Sequence, residues 1–198
     1  MVKDYQKLNQ FSLPDGFRGR SAMVVQFWWL VQSTLFAMSP QFMFGWRRWL
    51  LNLFGAEVGE NVLIRPSVRV TYPWKVKIGD RVWIGDNAEL YSLGEIEIGD
   101  DVVISQKSYL CAATHDFSKL SFDMIDKKIT IEDQVWIATD VFVAPGVTIG
   151  RGALIGARSS VFADMPEGMI CVGSPAKPVK PRVKSSDHGT HGIHEKKA

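Results

Sequence analysis

The chain has 198 residues, 46% of them apolar and 22% charged, which is the composition of one packed globular domain and excludes disordered, collagen-like and disulfide-scaffold classes. Its 23 basic against 21 acidic residues leave a net charge of +2, too little to mark a nucleic-acid binder. Two cysteines, Cys111 and Cys171, and a polar opening stretch without an apolar signal core point to a reducing, cytoplasmic setting.

Residues 1–55 read as an N-terminal helical region. Residues 21–46 carry no charge at all. The apolar span 23–38 is shorter than the ~20 residues that a bilayer crossing needs, and it contains Gln26, Gln32, Ser33 and Thr34. Pro40 stops the first helix, and a second is expected over residues 45–54. Two environments fit residues 21–54. One is a helical lid that buries its aromatic face on the rest of the protein. The other is a helix pair in a membrane interface, with Trp28, Trp29, Trp46 and Trp49 at headgroup depth and Arg47 and Arg48 facing anionic lipid. Aromatic clusters at helical spacing favour packing.

Past Phe54 the apolar positions recur every six residues. Val58, Ile64, Val70 and Val76 open the series; Ile78, Ile84, Leu90 and Ile96 follow after a shift, then Ile98, Ile104 and Leu110. Beyond an interruption come Ile131, Ile137, Val143, Ile149, Ile155 and Val161. Small or β-branched residues such as Val62, Ala88, Ser108 and Ala153 stand four positions on. A period of six fits neither a helix nor a hairpin meander. It fits short strands joined by tight corners and wound as a parallel β-helix, with glycine or aspartate at the corners supplying unusual backbone angles. The β-helix domain is expected over residues 56–166, and the N-terminal helices are expected to cap one exposed end.

Residues 114–130 break the hexads between two coils without ending the stack, as an unpatterned loop of the kind that carries function. At its root stands His115. The three other histidines, His188, His191 and His194, lie in a polar stretch of residues 185–198 that reads as a disordered tail. No catalytic metal site can be built from one histidine on the β-helix. An imidazole carried on a loop, outside the inward register and between Thr114 and Asp116, is suited to taking a proton from an alcohol or amine.

Hexads interrupted by a loop with one histidine resemble the hexapeptide-repeat acyltransferases, which have a left-handed parallel β-helix. The strings PDGFRGRSAMVVQFWW, IRPSVRVTYPWKVKIGD, ISQKSYLCAATHDFS, WIATDVFVAPGVTIG and GARSSVF are similar to the colanic acid biosynthesis acetyltransferases in particular. That resemblance implies acetyl transfer from acetyl-CoA to a sugar hydroxyl of an exopolysaccharide unit, free or lipid-linked, by a homotrimer with its sites between subunits. It makes His115 the general base. Thr139 in WIATD and Ala157 in GARSS match positions lining the acetyl-CoA channel, and in the C-terminal segment 167–184 the GSPAKPVK run puts Lys177 and Lys180 on the CoA phosphates. Two departures stand out. Relatives often carry Thr-Lys where this chain has Phe162-Ala163, and the Asn residues that some place near the acceptor are replaced around Tyr91, Ser92 and Leu93.

Tyr91, Ser92 and Asp116 are therefore the candidate acceptor contacts, and Asp116 could instead orient the imidazole. Cys111 could be read as an acyl-accepting nucleophile, but its place after inward Leu110 favours a small packing residue. Neither the GxGxxG nor the GxxxxGK[ST] phosphate loop is present, so CoA is the coherent partner. Other acceptors, a lipopolysaccharide sugar or an amino sugar nitrogen, stay open, as does a non-catalytic scaffold. A γ-class carbonic anhydrase shares the fold but needs three histidines that this chain lacks.

Overall fold

The computed structural model describes residues 4–182, and in it the hexads wind as a left-handed parallel β-helix with three faces. Face one stacks Glu57–Val58, Val76–Ile78, Ile96–Ile98, Ile129–Ile131 and Thr148–Ile149. Face two begins with Leu63–Ile64, Trp83–Ile84, Val103–Ile104, Trp136–Ile137 and Leu154–Ile155. Face three stacks Arg69–Val70, Glu89–Tyr91, Tyr109–Cys111, Phe142–Val143 and Ser160–Val161. The register is in phase with the sequence period, so Val58, Ile78, Ile98, Ile131 and Ile149 lie one above another. Every expected hexad residue points inward, and none is more than 7% exposed. Each such side chain contributes about 1.5–3 kcal/mol relative to exposure, which is why the period is kept over so many coils.

The corners bear out one expectation only in part. The glycines after the inward residues do not supply unusual angles; they let coils approach. A Cβ on Gly59 would lie 2.7 Å from the Gly79 carbonyl carbon, and one on Gly79 would lie 2.8 Å from that of Gly99. The left-handed angles fall one residue before the small buried position: at glycine or aspartate, as expected, in Gly146 (φ 85°), Gly152 (φ 67°) and Asp101 (φ 57°), but also at Arg81 (φ 57°). A non-glycine residue in that conformation costs about 1–2 kcal/mol. Backbone bonds to the coil before offset it, from Arg81 N to Glu60 O at 2.8 Å and from Asp101 N to Asp80 O at 2.9 Å. The corner aspartates act through their side chains: Asp80, Asp100 and Asp133 each accept, through Oδ1, the N–H of the preceding coil's Glu60, Asp80 and Asp100 at 2.7, 2.8 and 2.9 Å.

The first coil has no neighbour below it, and the N-terminal helices close that end. Helix α1 (Ala22–Val31) starts at Ser21, runs into a π-type turn (Gln32–Phe36), and is followed by α2 (Phe44–Leu53). On face three, Trp28 Nε1 donates to Val70 O at 2.8 Å and Gln32 Oε1 accepts from Val70 N at 2.6 Å. On face two, Arg47 Nε donates to Ile64 O at 2.6 Å. On face one, Asn52 Oδ1 accepts from Val58 N at 3.0 Å, and Arg48 Nε donates to Val58 O at 3.2 Å. Trp28 and Arg47 are fully buried, so neither can stand at headgroup depth or face lipid. No helix among the described residues is long and apolar enough to cross a membrane.

The upper end and the interruption also differ from expectation. Hexads stop after Val161, yet the stack continues: Met165 bridges to Ile149, and Met169–Gly173 pairs in parallel with Leu154–Ile155. Buried Met165 and Cys171 take the place of the branched aliphatics. Ala176–Pro181 then closes face two as an antiparallel edge strand. Residues 114–130 are not an unpatterned loop. Ala113–His115 and Met124–Asp126 form an antiparallel hairpin, and the chain regains face one at Ile129. Strands of three residues are too short to show alternation. The histidine-bearing tail lies outside the described residues.

Candidate functional site

The hairpin leaves the β-helix at the corner between faces three and one, which puts half-buried His115 outside the inward stack. Its Nδ1 lies 2.8 Å from the carbonyl oxygen of Phe122. A carbonyl only accepts, so Nδ1 carries the proton and the Nε2 lone pair is left free. The imidazole also stacks on the Phe122 ring at 4.3 Å and 9°, and the Phe11 ring stands 6.0 Å away. Phe122 is left-handed (φ 53°), in a turn closed by its N–H to Lys119 O at 3.1 Å.

Asp116 does not orient the imidazole. Its Oδ1 accepts from the Ser118 hydroxyl and from Ser118 N at 3.0 Å. Those bonds, the hydroxyl first, hold its carboxyl below the usual carboxylate range. Lys119 pairs with Asp123 at 3.0 Å and with Asp116 at 3.9 Å, so these charges brace the hairpin tip.

The other acceptor candidates separate. Tyr91 lies half-buried on the outer side of face three, its ring 5.8 Å from that of Tyr109, and burial raises its phenol pKa. Ser92 is fully buried. Its Oγ accepts from Tyr72 N at 2.8 Å and donates to Tyr72 O at 3.0 Å, so it staples two coils and cannot meet an acceptor. Cys111 is not in the inward stack either. It sits opposite Tyr91 on face three and donates its thiol to Ala113 O at 3.1 Å.

Thr139 and Ala157 lie in successive coils at the corner between faces two and three. Thr139 Oγ1 donates to Gln106 O at 3.0 Å, and its carbonyl accepts from Arg158 N at 2.9 Å. The turn between the last two strands sits above this corner, with Gly156 N donating to Cys171 O at 2.8 Å and Gly173 N to Ser159 Oγ at 3.1 Å. Lys177 and Lys180 are exposed on the edge strand and carry no ion pair among the described residues. Small corner residues and two unpaired cations fit a pantetheine chain ending in phosphates. Within one chain, this column and His115 stand at opposite edges of face three.

Sequence reasoning missed three supports of the hairpin. One is the Phe122 carbonyl. The second is Lys75, whose Nζ donates to Leu93 O and, at 2.8 Å, to Phe17 O, with Asp126 at 4.0 Å; burial lowers its pKa. The third is the N-terminal arm, where Lys7 N donates to Leu120 O at 2.6 Å and Phe11 approaches His115. All act through main-chain groups or distant contacts, so no residue type marked them. Among the described residues no three His, Cys, Asp or Glu side chains are grouped to hold a metal ion.

Comparison with known proteins adds to this geometry. Residues 75–106 match the family model described as the hexapeptide repeat of succinyl-transferase. The chain is 55% identical over 180 residues, 91% of its own length and 99% of the relative's, to WcaF of Escherichia coli (strain K12), which is named for acetyl transfer in colanic acid biosynthesis. Among solved structures it is similar to a galactoside acetyltransferase in complex with coenzyme A, with TM-score 0.78, 25% identity, and coverage of 94% of this chain and 92% of that one. It is also similar to the hexapeptide-repeat acetyltransferase VCA0836 of Vibrio cholerae O1 biovar eltor complexed with acetyl coenzyme A, with TM-score 0.74, 25% identity, and coverage of 84% and 92%.

Proposed function

Since the chain belongs to the hexapeptide-repeat acetyltransferases and is an acetyl-CoA-dependent acyltransferase, we propose that it O-acetylates a sugar hydroxyl in the assembly of a colanic-acid-like exopolysaccharide, with His115 as general base. The observation that carries the reading is the 2.8 Å contact of His115 Nδ1 with Phe122 O. It commits one nitrogen to the scaffold and leaves Nε2 to take the acceptor's proton. The thioester of acetyl-CoA supplies the electrophilic carbonyl. As the hydroxyl oxygen attacks, His115 becomes an imidazolium held by the Phe122 carbonyl, and it returns the proton to the departing thiolate. Thr139 and Ala157 line the pantetheine arm, while Lys177 and Lys180 neutralise phosphates.

This reading also makes the enzyme a homotrimer. His115 and the Thr139–Ala157 corner stand at opposite edges of one face, so a second copy is needed to bring a base beside a donor channel. Face three carries an outward aromatic row for such a contact, with Tyr109 stacked on Phe142 at 6.0 Å and Phe162, 59% exposed, 5.6 Å further along. Thr-Lys of relatives is replaced here by Phe162-Ala163, which supports a more apolar contact at that level.

The test is thioester cleavage with acetyl-CoA against a panel of sugar acceptors, both undecaprenyl-linked and nucleotide-linked, with wild type and His115→Ala. Acceptor-dependent CoA release that collapses in the variant supports the reading. Equal release by both proteins removes His115 from the mechanism, and no release with any sugar favours a different acceptor or a scaffold.

A further inference from the structure

Helices α1 and α2 are apolar on both sides, and the β-helix uses one. Facing the coils are Val25, Trp28, Val31 and Phe36 from the first arm and Leu50 and Leu51 from the second. Facing away are Met23, Phe27 and Leu30 on α1, and Trp49 and Leu53 on α2, each stripe at helical spacing. The connecting turn adds Met38 and Phe42, 80% and 79% exposed. The two stripes are joined. Phe27 meets Phe54 at 5.6 Å at one end, and at the other Trp46 donates to Leu35 O at 3.0 Å and stacks on Trp49 at 5.1 Å. The arms are therefore an antiparallel pair lying flat across the first coil. A helix that is apolar all round is a helix buried on all sides, and here one side is open.

Two further observations say what covers it. The hydroxyls on this plate are already satisfied internally: Ser33 Oγ and Thr34 Oγ1 donate to Leu30 O at 3.0 and 2.6 Å. Contact with hydrocarbon therefore leaves neither hydroxyl proton orphaned, and an indole N–H such as that of Trp49 is suited to the headgroup level. Residues 16–56 contain four arginines and neither Asp nor Glu. Of these, Arg20 is exposed beside the end of the plate at Gly55 and makes no ion pair among the described residues, while exposed Arg18 turns its side chain toward Tyr72.

We propose that this plate docks the protein on an anionic bilayer, with Met23, Leu30, Met38, Phe42 and Trp49 in the headgroup–acyl boundary and Arg20 on lipid phosphates. Each helix is 10 residues long, so it lies in the interface and does not span. The membrane-facing set overlaps the one expected from sequence only in part: Trp49 faces outward, Trp28 and Arg47 turn inward, and Met23, Leu30, Met38 and Phe42 join the outward face. The proposal is independent of the acceptor and of His115.

The experiment is co-sedimentation of the full chain with phosphatidylglycerol-containing vesicles and with pure phosphatidylcholine vesicles. Wild type is compared with Met23→Glu/Leu30→Glu and with Met38→Glu/Phe42→Glu, and thermal melts and light scattering are run on each. Preferential binding to the anionic vesicles, weakened about tenfold or more in either double variant with melting temperature retained, is the expected result. The second variant alters only the connecting turn, so it keeps the test valid if the helix variant fails to fold. Absence of wild-type binding overturns the proposal, as does binding that persists in a folded variant. A drop in oligomer mass in the variants, with vesicle binding unchanged, assigns the plate to a second copy of the chain instead.

Discussion

Arg47 Nε lies 2.6 Å from the carbonyl oxygen of Ile64, and no carboxylate accompanies this fully buried guanidinium. Its other nitrogens donate to Ser39 Oγ at 2.8 Å, Pro40 O at 2.9 Å and Gln41 O at 2.7 Å, and burial lowers its pKa from the usual value. The cation gains its place by neutral acceptors alone, one of them the unpaired edge of the first coil. Arg47→Met strands those acceptors inside the cap and is expected to cost about 3–5 kcal/mol by urea unfolding. Arg47→Lys should recover little, since an ammonium cannot reach the same fork of partners. Full recovery by lysine would mean that charge, not geometry, is what the cap requires.

At the hairpin, His115→Ala should lower turnover by ~10²–10⁴-fold while the melting temperature stays near wild type. His115→Asn is the sharper control. Its amide can still donate to Phe122 O but offers no base, so it should be as inactive as alanine. Turnover that survives in the asparagine variant would assign His115 a structural role only.

Light scattering of the 22.2 kDa chain should give three times that mass at micromolar concentration, and Phe162→Asp should lower it, together with activity, by breaking the outward row on face three. A monomeric wild type with full turnover would show that one chain completes the site.

Lys177→Ala and Lys180→Ala should each raise KM for acetyl-CoA several-fold with little change in kcat, an effect that shrinks as salt is added. Equal loss for acetyl-CoA and for a truncated pantetheine thioester would disconnect these lysines from the phosphates.

Asp86 links coils by accepting from Arg65 Nε and Ser67 Oγ, both at 2.9 Å, and the Arg65 bond first holds its carboxyl below the ordinary 3.8. A carboxyl depressed on folding contributes stability that is present above its unfolded value and lost as pH falls through the folded one. The melting-temperature gap between wild type and Asp86→Asn should therefore be full at neutral pH and close as pH falls below the ordinary carboxylate range, through the lowered folded value. A gap that stays constant into acid would separate Asp86 from the acid limb.

The coils were legible because one residue type at one spacing performs one task. Ile84 and Ile137 face the same interior, where one aliphatic side chain stacks on the next. The corners misled because glycine has two uses, close approach and free angles, and a sequence shows the residue without the reason. Gly79 serves the first, while Arg81 takes the second with no mark in its chemistry. His115 stood out as a lone titratable side chain, whereas the group that aims it is a main-chain oxygen, which every residue has. Ser92 was placed near the acceptor by position in the chain; one residue along a strand is the difference between the outer surface, where Tyr91 stands, and a buried staple.

Successive aspartates of the first corner are 20 residues apart until the hairpin intervenes, and then the step is 33, from Asp100 to Asp133, with the same side-chain bond remade at 2.9 Å. The excursion is a cassette inserted at a seam. It can be lengthened, trimmed or exchanged without moving any strand above or below, because each coil answers only to its neighbours. The corner that carries Thr139 and Ala157 has no such freedom, since it is made of the coils themselves. In a lineage of such proteins, the tip of this excursion can change while the coils, and the bonds that hold each to the next, are inherited whole.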